Sequence, residues 1–301
     1  MTDVCAVVLN YFAAEKTANC IRSVSFQPLQ RIIVVDNSAD EQEAKRLAEA
    51  LDRVMLDAGT ELKISANSQN LGFARAVNKA VAEDSASASS VPYYLLLNND
   101  AIAEPNLVAE LVRKANEDPC IGLIAPRVDQ DDLALVKRQY YRFWGHVADG
   151  KGNRAAVPFL NGSCLLVNPQ LLAGTRMFDE DFFMYGEDVW LSWHCLRSGF
   201  ELAVVDTTGI NHEGTGSSRH GGIFYEYYTA RGHVLLGTKM LRSRLELPVM
   251  FAGRIAYLAF RALRRAVRYK SMAPIAAYFM CWFGLEVRPP VRKSLSEDAF
   301  S

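Results

Sequence analysis

The sequence predicts an α/β protein with a single mostly parallel central sheet, flanking helices and amphipathic helices at the C-terminal end. Short continuous apolar runs recur along the chain, each the length of a buried strand. Stretches with helical spacing separate them. Each run also stops at a short polar or acidic loop, and open α/β sheets bind ligands at the carboxyl ends of their strands. The clearest case is Tyr93-Tyr94-Leu95-Leu96-Leu97, which follows Pro92 and halts at Asn98-Asn99-Asp100.

Val4 to Leu9 reads as the first strand, ending at Asn10-Tyr11. A helix follows from Glu15 to Ser25, with Ile21 and Val24 inward. Arg31 to Val35 is the second strand and ends at Asp36-Asn37-Ser38. Glu41 to Leu56 reads as a helix whose apolar positions are Ala44, Leu47, Ala48 and Leu51. Leu62 to Ile64 is a short third strand. In Asn70-Leu71-Gly72-Phe73-Ala74-Arg75-Ala76-Val77-Asn78, Gly72 permits a tight turn and helical spacing follows. Backbone amides at that helix start, with Arg75, suit a phosphate or a nucleobase edge. A surface helix with a solvated arginine is the plainer reading of the same residues. Ala82 to Ser90 reads as a loop. Asp100 has two readings. It can hold a divalent cation at a strand end, because Mg²⁺ and Mn²⁺ take oxygen ligands and substrate phosphates. It can equally cap a helix from Glu104 to Asn116.

Ile121 to Pro126 is a further strand. Asp129 to Asn153, rich in aromatic and basic residues, reads as a long excursion fit for a lid or acceptor wall. Phe159 to Val167 reads as one strand kinked at Gly162-Ser163, where Gly162 allows a ligand to come close. Gly186-Glu187-Asp188 opens a helix running toward Gly199. Its two acids suit the positive end of the helix dipole, or one of them serves as a general base facing a cleft. Glu201 to Val205 is a strand leading to His212, which reads either as a ligand to metal or phosphate or as a structural histidine. Gly214, Gly216, Gly221 and Gly222 make the next loop flexible enough to close over a diphosphate, with Arg219, His220 and Arg231 nearby. The chain then turns helical from Phe224. Pro248 to Arg268 mixes apolar residues with Arg254, Arg261, Arg264, Arg265 and Arg268, a basic amphipathic pattern suited to a membrane interface. Met272 to Leu285 is apolar but too short to span a bilayer.

Half of the 301 residues are hydrophobic and 22% are charged, a globular balance with a formal net charge of -1. Nothing global points to nucleic acid. Basic residues dominate from Arg242 to Lys293, so one end alone suits a polyanionic or membrane surface. The six cysteines are scattered without a CxxC pair, as in a reduced cytosolic protein without a zinc site. The first residues lack the basic segment of a secretory signal.

Taken in order, Val7 to Tyr11, Val34 to Ser38, Asn70 to Asn78, Leu96 to Asp100, Gly162 to Leu166, Phe183 to Asp188 and His212 resemble the family-2 inverting glycosyltransferases with the GT-A fold. The resemblance covers about residues 3 to 235 and is nearest to the rhamnosyltransferase-like branch of bacterial cell-surface polysaccharide synthesis. It implies a Rossmann-like nucleotide-sugar half and a transferase domain over 1–235. The remainder, 236–301, is expected to be a basic, helical, membrane-associating extension. By resemblance, Asn10, Asp36, Arg75, Asn98, Asn99, Asp100 and Gly162 would bind the donor. Asp36 would take the nucleobase with Arg75 beside it. Asp100 and His212 would hold a divalent metal, Mg²⁺ or Mn²⁺. Asp188, with Glu187 as the alternative, would be the base. Asn98 stands where the family's metal motif often has its first acid, and Trp190 where relatives often carry another. The implied partners are a nucleoside-diphosphate sugar, first dTDP-L-rhamnose, and a lipid-linked saccharide acceptor of O-antigen or cell-wall synthesis. The expected location is cytoplasmic, peripheral at the inner face of the cytoplasmic membrane. A homo-oligomer is compatible with the sequence. A UDP-galactofuranose, UDP-galactose or UDP-glucose donor and a non-catalytic sugar-nucleotide-binding subunit are the competing readings. A nucleotidyltransferase fits less well, for want of a Gly-rich phosphate loop with Lys near the N-terminus.

Overall fold

The computed structural model describes residues 4–87, 93–128, 136–149, 156–173, 175–212, 221–285 and 287–288. The Gly214–His220 part of the glycine-rich loop lies outside the described residues, as do 129–135 and 150–153 of the long excursion.

Four apolar runs form parallel strands: β1 Val4–Asn10, β2 Arg31–Asp36, β3 Glu61–Ala66 and β4 Tyr93–Asn98. β1, β2 and β4 are buried almost end to end because helices cover the sheet, which is why they read as continuous apolar runs. The connecting helices are α1 Ala14–Val24, α2 Glu41–Asp52 and α3 Gly72–Ser87. α3 therefore takes up much of the stretch expected to be a loop from Ala82. The strand order is β3-β2-β1-β4. The order reverses between β1 and β4, so a crevice opens where Asn10 and Asn98 end their strands.

The sheet continues with β10 Cys164–Val167, β6 Ile121–Val128, β11 Glu201–His212 and β5 Ala101–Ala103. β10 runs antiparallel to β4 and β6, β6 parallel to β11, and β5 antiparallel to β11. Three expectations change here. β11 does not stop at Val205 but continues to His212 through an irregularity between Val205 and Gly209. Asp100 does not cap a helix, because β5 follows it directly and α4 spans Leu107–Glu117 with Asn106 at its N-cap. The kinked strand expected from Phe159 to Val167 is two strands in two sheets. β9 Ala156–Leu160 pairs with β7 Lys137–Tyr141, which also pairs with β8 His146–Ala148, in a separate antiparallel sheet. Asn161-Gly162-Ser163 carries the chain from one sheet to the other. α5 spans Glu187–Arg197, as its opening acids and Gly199 predict.

Three helices close the chain: α6 Ile223–Lys239, α7 Leu247–Tyr269 and α8 Ala273–Phe283. They share a second core of Tyr227, Ala230, Val234, Leu258, Ala277 and Cys281. Most of the arginine cluster expected to face a membrane is turned inward. Arg254 is 2% exposed and donates to the carbonyls of His233 and Arg142 and to the Tyr140 hydroxyl. Arg261 and Arg265 both pair with the buried carboxylate of Glu226 on α6. Of the five, Arg264 and Arg268 are exposed.

Candidate functional site

The carboxyl ends of β1, β2 and β4 are joined by one hydrogen-bonded chain. Asn99 Nδ2 donates to Thr17 Oγ1 at 3.1 Å, and Thr17 donates to Asn10 Oδ1 at 2.8 Å. Asn10 Nδ2 in turn donates to Asp36 Oδ1 and Glu43 Oε1, both at 3.2 Å. Asn10 is completely buried and orients Asp36. Asp36 is 2% exposed and also takes the Ser38 N–H. Asn99 is committed to the same chain, so of the three polar residues after β4 only Asn98 and Asp100 face the histidine. Glu43 is the surprise. Asp40 caps α2 by accepting the Glu43 N–H, a spacing that normally sends the glutamate side chain back to its own helix start. Here Glu43 reaches across and accepts the Ala14 N–H instead, capping α1, whose own N-cap Ala13 has no acceptor.

Asp100 sits in the turn between β4 and β5. Because β5 pairs with β11, His212 lies opposite Ala101, and this register brings it to Asp100. His212 Nε2 is 3.1 Å from Asp100 Oδ1 and 3.4 Å from Asn98 Nδ2. Burial pushes the Asp100 carboxyl up, but the hydrogen bond and charge of His212, helped by Lys16, outweigh it and hold the pKa below the usual value. Among the described residues no group of three or more His, Cys, Asp or Glu forms a complete metal cage. The pair nevertheless suits a cation that keeps water and substrate oxygens. Two neighbouring ligands about 2.1 Å from an octahedral ion lie about 3 Å apart.

The second acidic centre is at the start of α5. Tyr185 and Gly186 are both left-handed, with φ of 66° and 98°, and turn the chain abruptly into Glu187 and Asp188. Tyr185 is not a residue that favours this region, so the turn needs support. α6 supplies it, because Gly232 lets the Tyr185 carbonyl approach where any Cβ would overlap it. The Asp188 side chain lies on Gly162, where an added Cβ would come within 3.2 Å of the Asp188 Cβ. Burial raises the Asp188 pKa against the opposing pull of the Val189 and Gly162 N–H groups and Arg138. Glu187 has only its own backbone N–H to oppose burial. One of its carboxylate oxygens is buried without a partner among the described residues. Burial first, and Asp188 second, push its pKa up to about 8. The two centres are neighbours through the backbone: the Asn98 N–H donates to the Ser163 carbonyl at 2.9 Å. The strand end bearing Asp100 is thus tied to the bend on which Asp188 rests.

Arg75 is placed differently from the expectation. The Phe73 N–H at the start of α3 is occupied by the Phe183 carbonyl at 2.7 Å, so that amide does not face a ligand. Arg75 Nε donates to the Glu180 carbonyl, and the Asn78 side chain both gives to and takes from Phe178. The Gly72–Asn78 motif therefore clamps the 178–183 segment that leads into Glu187-Asp188. Beside it opens a cavity of about 190 Å³, lined among others by Arg75, Phe183, Tyr228, Arg231 and Gly284. Neither Asp36, Asp100 nor Asp188 lines it. Thr17 and Glu43 had no signal in the sequence as site residues, and Arg231 read only as positive charge near the glycine-rich loop. Their places depend on contacts across 29 or more residues of chain for Glu43 and 50 for Arg231.

Residues 4–173 match the model of glycosyl transferase family 2. No curated protein sequence matches the chain. Among solved structures, the mannosyltransferase PcManGT from Pyrobaculum calidifontis, in complex with GDP-Man and Mn²⁺, is 16% identical. The likeness covers 94% of this chain and 88% of that one, with a TM-score of 0.56. Glucosyl-3-phosphoglycerate synthase from Mycobacterium tuberculosis, in complex with Mn²⁺, UDP-glucose and phosphoglyceric acid, is 14% identical over 81% of this chain and 82% of that one, at a TM-score of 0.53. At these identities the likeness is one of fold.

Proposed function

The chain belongs to glycosyl transferase family 2, and we propose that this glycosyltransferase moves a sugar, with inversion, from a nucleoside diphosphate to a lipid-linked saccharide. Our first donor is dTDP-L-rhamnose, and the product is a unit of O-antigen or cell-wall polysaccharide. The observation that carries the mechanism is the joining of two acidic centres, Asp100–His212 and Asp188–Gly162, through one backbone hydrogen bond between Asn98 and Ser163. Asp36, aligned by Asn10, takes the nucleobase edge. Asp100 and His212 would hold a divalent cation, Mg²⁺ or Mn²⁺, whose positive charge would ease departure of the diphosphate. Mn²⁺ in the similar structures supports this choice of ion. Asp188 accepts the proton of the acceptor hydroxyl as its oxygen bonds to the anomeric carbon. The bond from that carbon to the diphosphate oxygen breaks on the opposite side. Glu187 stays protonated beside it, so it is the weaker candidate for base.

A lipid-linked acceptor agrees with an enzyme of the cytoplasm, peripheral at the inner face of the cytoplasmic membrane, and we propose that location. A UDP-sugar donor is the second reading, favoured by the UDP-glucose of one similar structure. A thermal-shift panel of dTDP-rhamnose, UDP-galactose, UDP-glucose, UDP-galactofuranose and GDP-mannose, each with and without Mn²⁺, tests both. A ligand that binds only the folded state raises its melting temperature. We expect a metal-dependent shift with one donor, abolished by Asp100→Ala. No shift with any donor would overturn the donor site, and a shift without sugar transfer would turn the reading to a non-catalytic sugar-nucleotide-binding subunit.

A further inference from the structure

α7 packs one face into the molecule, burying Met250, Gly253, Arg254, Leu258 and Ala262. Its opposite face is bare. Val249, Ala252, Ala256, Phe260, Leu263 and Val267 are all exposed, Phe260 by 60% and Val267 by 81%. Steps of three and four residues place them in one line along the helix, about 27 Å from end to end at 1.5 Å per residue. Trp144 extends the patch sideways: it is half exposed and packs beside Gly253. α8, packed on α7, exposes Phe279 and Phe283. Soluble monomers rarely leave so continuous an apolar strip open to water.

Charge decides what covers it. Exposed cations flank the strip, Arg242 and Arg244 before it, Arg264 beside its last turn, and Arg268 and Lys270 after it. Glu246 lies at the first end, but Arg142 holds both its oxygens. A second copy laid along the same face, parallel or antiparallel, would set cations against cations. An anionic lipid surface meets both demands, receiving the apolar strip among its acyl chains and the cations at its headgroups. No described helix is long and apolar enough to cross a membrane, so the contact is in plane.

We propose that the outer face of α7, with Trp144, Phe279 and Phe283, docks on a bilayer containing anionic lipid. This rests on the lipid-linked acceptor above.

The test is flotation of the full chain with vesicles of phosphatidylcholine alone and of equimolar phosphatidylcholine and phosphatidylglycerol. The wild type should float with the second. Phe260→Asp with Leu263→Asp should weaken binding about tenfold or more, given the apolar area lost. Arg264→Glu with Arg268→Glu should weaken binding to the anionic vesicles by about fivefold per charge and leave the neutral ones unaffected. All four side chains are exposed or partly so, and an unchanged melting temperature confirms that each variant folds. Equal flotation of the Phe260/Leu263 variant, or no flotation of the wild type, overturns the proposal. So does a wild-type dimer, seen by light scattering, that this variant makes monomeric, because the face then belongs to a second copy. The donor panel is run on the same proteins. Flotation without any donor shift would reject the transferase mechanism and leave the docking surface standing, and the reverse result would do the opposite.

Discussion

Asp188 and Glu187 are neighbours in sequence whose surroundings differ by a few hydrogen bonds. Asp188 receives the Val189 N–H at 2.8 Å and leans on Gly162, whereas Glu187 buries an oxygen that nothing satisfies among the described residues. A carboxylate raised in pKa by burial is a stronger base and is suited to accept a proton. Asp188→Asn should therefore lower kcat by about 10²- to 10⁴-fold while leaving the donor-induced melting shift intact. Loss of the shift along with the rate would mean that Asp188 binds donor. The raised pKa also sets a direction: kcat/KM should fall as pH drops through it, at a higher pH than for an ordinary carboxylate. Glu187 gives a stability prediction of opposite sense to the usual acid. Folded, it keeps its proton up to about 8, whereas the unfolded chain releases it near 4.5. Between those values the folded state binds more protons, so stability declines as pH rises. Glu187→Gln removes the titration. Its melting temperature should match wild type at about pH 5 and exceed it at about pH 8.5. Equal melting at both would show that Glu187 is not held protonated.

At the scale of elements, the sequence is most readable where local chemistry and tertiary need coincide. β1, β2 and β4 are buried on both faces, so each had to be a continuous apolar run, and each ends at the polar residues that form the crevice. β5, only three residues long, carries no periodic signal, yet its pairing with β11 is what brings His212 to Asp100. β9 and β10 read as one strand because Gly162 looks like a kink; only the second sheet reveals a crossing. The Gly72–Asn78 motif was legible as important but not as a clamp, since its partners Phe178, Glu180 and Phe183 lie about a hundred residues on. Gly72 allows a measurement of that clamp. Its φ is +76° and an added Cβ would overlap the Phe183 carbonyl. Gly72→Ala should cost about 2 kcal/mol or more, from the left-handed backbone and the displaced segment. It should also slow transfer, because the segment leads into Asp188. An unchanged urea midpoint would show that the clamp is slack.

For the whole molecule, the C-terminal helices look detachable in sequence: the composition turns basic and amphipathic near residue 236. The structure gives α6 two allegiances. Leu236 and Met240, at its end, belong to the main core around the large sheet. Tyr227, Ala230 and Val234, on earlier turns, belong to the second core with α7 and α8. Arg254 fastens the same junction, reaching from α7 to the His233 carbonyl on α6 and the Arg142 carbonyl after β7, and Gly237 makes room for its side chain. Such links are invisible to periodicity, because an arginine in an amphipathic pattern normally faces water. A chain ending after Leu235 would lose two buried residues of the main core and leave the second core without its other half. Losing a buried Leu or Met alone costs about 2–5 kcal/mol, against a total stability of about 5–15 kcal/mol. The truncated protein should be insoluble, or should melt well below the full chain. It should bind 8-anilinonaphthalene sulfonate through the exposed α6 surface. A soluble, cooperatively melting product with the parent's melting temperature would mean that the catalytic sheet stands without its helical layer. The membrane face proposed for α7 could then be moved to another protein intact.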